Sequence, residues 1–121
     1  MRKFFLVTLT ALLLTSGFAS AETLTFKVRS FHQNQVDIAF YSKNRGNTSW
    51  PGGGKVWTIK DFAVHDYKLN CVAGEQICYG AWVRGADGTY WGAGHGGKHG
   101  CKSCCYTCNG GTTIVNNLNT R

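Results

Sequence analysis

Six cysteines constrain this chain more than any other feature. Four of them, Cys101, Cys104, Cys105 and Cys108, stand within eight positions as C-x-x-C-C-x-x-C, and Cys71 and Cys78 precede them. An even number of cysteines in a small, glycine-rich chain reads as a disulfide framework. Adjacent residues such as Cys104 and Cys105 bond each other only with strain, so each is expected to find another partner. Six cysteines still allow 15 pairings.

Two pairings follow from the rest of the chain. "CVAGEQICYGAW" reads as a hairpin with the two-residue turn Gly74-Glu75. That register sets Cys71 opposite Cys78, at a Cα separation of roughly 5.5 Å that suits a disulfide. Cys101 and Cys108 then partner the central pair. The rival pairing joins Cys71 and Cys78 to Cys104 and Cys105. It closes loops of about 30 residues, each stabilising by roughly 3–4 kcal/mol in a chain-entropy account.

Two other chemistries compete for the same sulfurs. Paired C-x-x-C units can hold zinc. Here His95, His99, Cys101, Cys104, Cys105 and Cys108 form the alternative ligand set, with zinc as the alternative to no cofactor. The two units abut, however, and a tetrahedral site needs the chain to double back between neighbours. A thiol redox protein is the third reading. Such proteins place C-x-x-C at a helix N-terminus, which lowers the thiol pKa, and no such helix is readable.

The disulfide reading needs an oxidising compartment, and the N-terminus supplies the route. "MRKFFLVTLTALLLTSGFASA" has the Arg2/Lys3 start, apolar run and Ala19-Ser20-Ala21 site of a secretory signal peptide. We expect residues 1–21 to be removed and residues 22–121 to form one cysteine-rich β domain, secreted or periplasmic. The apolar run is shorter than the ~20 residues of a membrane span, so no transmembrane anchor is expected after cleavage. Losing Arg2 and Lys3 lowers the formal charge from +7 to +5. The remaining basic residues are dispersed, which argues against a nucleic-acid surface.

Strand signals fill the rest. Leu24, Phe26 and Val28 alternate with polar residues in "TLTFKVRS", as do Val36, Ile38 and Phe40 around Asp37 in "NQVDIAFYS". The short "FHQNQ" between them suggests an antiparallel hairpin. "KNRGNTSWPGGGK" is a loop. "KVWTIKDF", "HDYKLNCV" and "ICYGAWVRG" follow as strands, "ADGT" as a turn and "YWGAG" as a short return. Thr112–Val115 adds an edge strand. Roughly seven short strands predict an all-β fold, a small disulfide-stapled β-sandwich or open barrel with glycine-rich loops.

Catalytic constellations are weak. His65-Asp66 is an adjacent pair, but neighbours on a strand point to opposite faces. No G-x-S-x-G elbow serves Ser42, Ser49 or Ser103. Glu75, in the proposed turn, reads as an exposed charge. The aromatics are more suggestive, since rings beside open glycine-rich loops can stack on sugars. Trp50, Trp57, Tyr90 and Trp91 are the candidate ligand-binding residues, on the Trp50–Gly54 and Tyr90–His99 loops.

Over Gly74–Cys108, "GEQICYGAW", "YWGAGHGGKHG" and "CKSCCYTC" resemble, in that order, a type of small secreted bacterial protein. "FYSKNRGNTSWPGGGKVW" extends the likeness more weakly. The resemblance implies export and brings no activity, cofactor or ligand with it. The expectation is a small basic secreted binding module, not an enzyme, whose partner is a protein or glycan of the cell envelope.

Overall fold

The computed structural model describes residues 20–120; the expected leader, apart from Ser20 and Ala21, lies outside them. The fold is all-β and carries cysteine pairs at disulfide distance. Its strands are β1 (Ala21–Ser30), β2 (Val36–Ser42), β3 (Ser49–Trp50), β4 (Trp57–Ile59), β5 (Val64–Val72), β6 (Gln76–Val83), β7 (Ala86–Gly92), β8 (Cys105–Thr107) and β9 (Thr112–Leu118). They form two sheets. The first has the order β5-β1-β9 and the second β3-β2-β6-β7, with β4 also on β2 and β8 also on β6. The β2–β6 pair is thus the spine of the second sheet, and each of its outer edges is shared by two short strands.

Period-two alternation places the core. Leu24, Phe26 and Val28 of β1 and Tyr67, Leu69 and Cys71 of β5 turn inward from the first sheet. Val36, Ile38 and Phe40 of β2 and Ile77, Tyr79, Ala81 and Val83 of β6 meet them from the second. The Phe26 ring lies 4.6 Å from that of Phe40 across the interface, and the edge of Tyr106 reaches it at 5.3 Å. β9 runs parallel to β1 with a register shift between Thr25 and Lys27. Polar side chains satisfy the backbone there. Lys27 N donates to Thr113 Oγ1 at 3.1 Å, and Asn116 Nδ2 donates to Lys27 O at 3.2 Å.

Two expected hairpins are not formed. β1 pairs with β5 and β9, whereas β2 pairs with β3, β4 and β6, so residues 31–35 cross between sheets. Alternation reports which face of a strand is buried but not which strand lies beside it. β5 and β6 also lie in different sheets. A two-residue turn would pair odd residues of β5 with even residues of β6. Ile77, Tyr79 and Ala81 would then face away from Tyr67 and Leu69, and the chain avoids this by changing sheets at Gly74. A smaller correction concerns the next turn. Val83 pairs with Ala86, so Arg84-Gly85 makes the turn and Ala86–Thr89 belong to β7.

Candidate functional site

The side of β6 turned away from the core carries Cys78, Gly80 and Trp82, and that of β2 carries Asp37, Ala39 and Tyr41. The glycine-rich segment Ala93–Gly100 lies over this outer face. Gly80 permits the approach, since a Cβ there would collide with the Gly94 carbonyl and come within 2.9 Å of the Tyr41 ring. Gly96 N donates to Tyr41 Oη at 2.9 Å, and His99 N to Ala93 O at 3.0 Å. Gly94, with φ 67°, makes a turn that side-chain-bearing residues rarely adopt.

The segment lays two exposed imidazoles on two aromatic rings. His95 stacks on Trp82 at 4.2 Å and 14° between planes. His99 stacks on Tyr90 at 3.9 Å and 9°. His95 Nδ1 also lies 3.0 Å from Asp87 Oδ2. That contact, foremost among several, holds the Asp87 carboxyl below the ordinary carboxylate range.

Beside His95 opens a cleft of about 610 Å³, lined by Asp37, Trp82, Arg84, Asp87 and His95 with the Gly85-Ala86 and Gly88 backbone. It shares Gly88 with a hollow of about 330 Å³ along Thr89–Gly92. Asp37 is largely buried; its Oδ1 accepts from Thr58 Oγ1 at 2.8 Å, and Arg84 Nε stands 3.9 Å from its Oδ2. The cleft therefore brings together carboxylates, a guanidinium and an imidazole face.

The four aromatics expected to bind ligand are not brought together. Trp50 and Trp57 sit on β3 and β4, at the β2 edge, while Tyr90 and Trp91 sit on β7, at the β6 edge. Trp50 is half-buried, and its indole Nε1 donates to Asn70 O at 2.9 Å. Trp57 is half-buried too, and its ring lies 5.1 Å from Tyr67 and 5.9 Å from Phe40. Trp91 is buried, with Nε1 donating to Asn119 O at 2.8 Å. Tyr90 lines the glycine-rich hollow beneath His99. His65 and Asp66 act apart, His65 Nε2 lying 2.6 Å from Asp61 and Lys27 bridging to Asp66 at 3.0 Å.

The cysteines pair as Cys71–Cys108, Cys78–Cys105 and Cys101–Cys104. The hairpin pair Cys71–Cys78 is not made, because β5 and β6 lie in different sheets. The rival pairing holds for Cys78 with Cys105, which are opposite each other in the β6–β8 register. Cys71 instead reaches Cys108, with Cα atoms 6.2 Å apart. The alternative ligand set is divided, since Cys108 is held by Cys71 and His95 rests on Trp82. Adjacent Cys104 and Cys105 nevertheless converge: their sulfurs lie 3.6 Å apart, and those of Cys78, Cys104 and Cys105 all lie within 4.8 Å of one another. A hollow of about 220 Å³ reaches Cys78, Cys101 and Cys105 and is also lined by Lys43 and His99.

Glu75 was expected to be an exposed turn charge and is instead buried, 4% exposed. Arg45 grips it with Nε at 2.7 Å and Nη2 at 2.9 Å, Ser42 Oγ donates to it, and Val72 N donates at 3.0 Å. Burial alone raises this carboxyl, but the hydrogen bonds from Arg45, Ser42 and Val72 and the Arg45 charge outweigh it, and the pKa falls to about 2. No local sequence signal marks Glu75, because Arg45 lies 30 residues earlier and the pair exists only once β2 and β6 are side by side. Comparison with protein-family models, curated proteins and solved structures returned no match.

Proposed function

We propose that this protein is an exported binding domain that holds a glycan of the cell envelope, without chemistry on it, in the cleft beside His95. The observation that carries this reading is the grouping of Asp37, Arg84, Asp87 and His95 around one open cleft. Fixed carboxylates accept from vicinal hydroxyls, a guanidinium donates a planar pair of hydrogen bonds, and the exposed imidazole gives a flat surface for a sugar ring. Ser42 supports the absence of chemistry on the glycan, since its hydroxyl is bound to Glu75. Three disulfides suit an oxidising compartment.

The test is calorimetric titration of the mature protein with soluble peptidoglycan fragments and neutral oligosaccharides. Arg84→Ala and Asp87→Ala should each weaken binding at least about tenfold, or about 1.4 kcal/mol, while Trp50→Phe leaves it unchanged. Unchanged affinity in both cleft variants, or no binding to any glycan, would sink the proposal.

One observation favours a second reading, zinc binding by the reduced protein. The 3.6 Å between the sulfurs of Cys104 and Cys105 is close to the edge of a tetrahedral zinc–thiolate site, about 3.8 Å for 2.3 Å bonds. Cys78 would be the third ligand. Metal analysis of protein purified with and without reductant tests it, and zinc in neither sample rejects it.

A further inference from the structure

We propose that Cys101–Cys104 is a thiol–disulfide exchange site that oxidises a dithiol, and that Cys78–Cys105 is its internal relay. This site is separate from the glycan cleft. Three observations converge on it. Cys101 is half-buried, so one sulfur of the pair can be reached from outside, while Cys104 is 2% exposed. The two disulfides abut, with 3.6 Å between the sulfurs of Cys104 and Cys105 and Cys78 within the same 4.8 Å group. The hollow that reaches Cys101, Cys78 and Cys105 is also lined by Lys43 and His99, and a lysine ammonium beside a sulfur favours the thiolate that carries such chemistry.

The three bonds differ in how much chain they close. Cys101–Cys104 spans 3 residues in sequence, against 27 for Cys78–Cys105 and 37 for Cys71–Cys108. Opening the short bond releases the least chain, so the fold loses least stability when that bond is reduced.

The chemistry is exchange at sulfur. A substrate thiolate attacks Cys101 Sγ. The Cys101–Cys104 bond breaks, its electron pair stays on Cys104 as thiolate, and a mixed disulfide forms at Cys101. The second substrate thiol, deprotonated, attacks the substrate sulfur of that mixed disulfide and releases Cys101 as thiolate. The substrate leaves as a disulfide, two electrons poorer, and the protein keeps two thiols. In the relay, the Cys104 thiolate attacks Cys78 Sγ. A Cys78–Cys104 bond forms, the Cys78–Cys105 bond breaks, and Cys105 carries the thiolate.

The experiment uses the oxidised mature protein in graded dithiothreitol redox buffers, with acid quench, alkylation and peptide mapping. Cys101 and Cys104 should be alkylated first, while Cys78–Cys105 and Cys71–Cys108 are still closed. One equivalent of a reduced dithiol peptide should be oxidised per protein. In Cys101→Ser, the free thiol should be divided between Cys104 and Cys105. Opening of all three bonds together, or of Cys101–Cys104 last, overturns the exchange site, and so does a dithiol peptide left reduced. A free thiol confined to Cys104 overturns the relay. Protein that purifies with zinc bound and with no Cys101–Cys104 disulfide also overturns the proposal, in favour of the metal reading. If Cys101→Ser does not fold, the order of opening and the peptide oxidation in the unmodified protein decide.

Discussion

Glu75→Gln isolates the buried charge at the junction of the two sheets. Gln keeps the shape but replaces a carboxylate oxygen by an amide that donates, and every partner the structure gives that carboxylate is itself a donor: Arg45 Nε and Nη2, Ser42 Oγ and Val72 N. Each oxygen accepts from two of these donors, so the amide nitrogen faces two donors whichever way the group points. Breaking a buried, charge-assisted group of this kind costs about 2–4 kcal/mol at pH 7. For a domain of this size that lowers the melting temperature by about 10–20 °C. The acid limb gives the sharper test. A carboxyl held at about 2 when folded and near 4.5 when unfolded contributes up to about 3 kcal/mol. Arg45 is half-exposed, so solvent screening reduces this to about 1–3 kcal/mol. The sign follows from the depressed folded pKa. The contribution is complete above about pH 5, declines as pH falls through the range between the two values, and is about three-quarters gone by pH 2.5. Urea unfolding of the oxidised protein and the variant, followed by tryptophan emission at pH 7, 4 and 2.5, reads the difference directly. A stability gap that stays constant from pH 7 to pH 2.5 would refute the charge argument, even if the variant were less stable throughout.

Removing the disulfides as Cys→Ala pairs should rank by loop length: about 4 kcal/mol for Cys71/Cys108, slightly less for Cys78/Cys105 and about 2 kcal/mol for Cys101/Cys104, as read by urea midpoints at fixed m-value. Gly80→Ala should destabilise by about 1–3 kcal/mol, because its methyl group meets the Gly94 carbonyl and the Tyr41 ring. Gly46→Ala, which meets nothing within 4 Å, should stay within about 0.5 kcal/mol, and equal effects at the two sites would count against the docked loop. Trp50→Phe should lose about 1 kcal/mol with the Asn70 hydrogen bond, measured by thermal unfolding.

What the sequence carried was face, and what it withheld was neighbourhood. Leu24, Phe26 and Val28 were legible as core residues because burial in β1 repeats every second residue, and Val36, Ile38 and Phe40 because their apolar side chains alternate, although Asp37 and Ala39 between them are buried too. The partner of β1 was not legible. Antiparallel pairing with β2 or with β5 buries the same side chains, and only the three-dimensional closure of two sheets distinguishes them. The β5–β6 hairpin was a different kind of error. β6 is buried on both faces from Ile77 to Val83, so no alternation in the sequence says which of its side chains meet Tyr67 and Leu69. The same limit applies to the site. "YWGAGHGG" marked a surface because glycines give access, but these glycines instead give close approach. Gly80 and Gly94 let the backbone lie against the sheet, so that His95 and His99 cover Trp82 and Tyr90 and the rings become floors under imidazoles. The proposed ligand surface is therefore not the tryptophans but the charged rim, Asp37, Arg84, Asp87 and His95, whose members are separated by up to 58 positions and meet only because β2, β6 and β7 share one sheet.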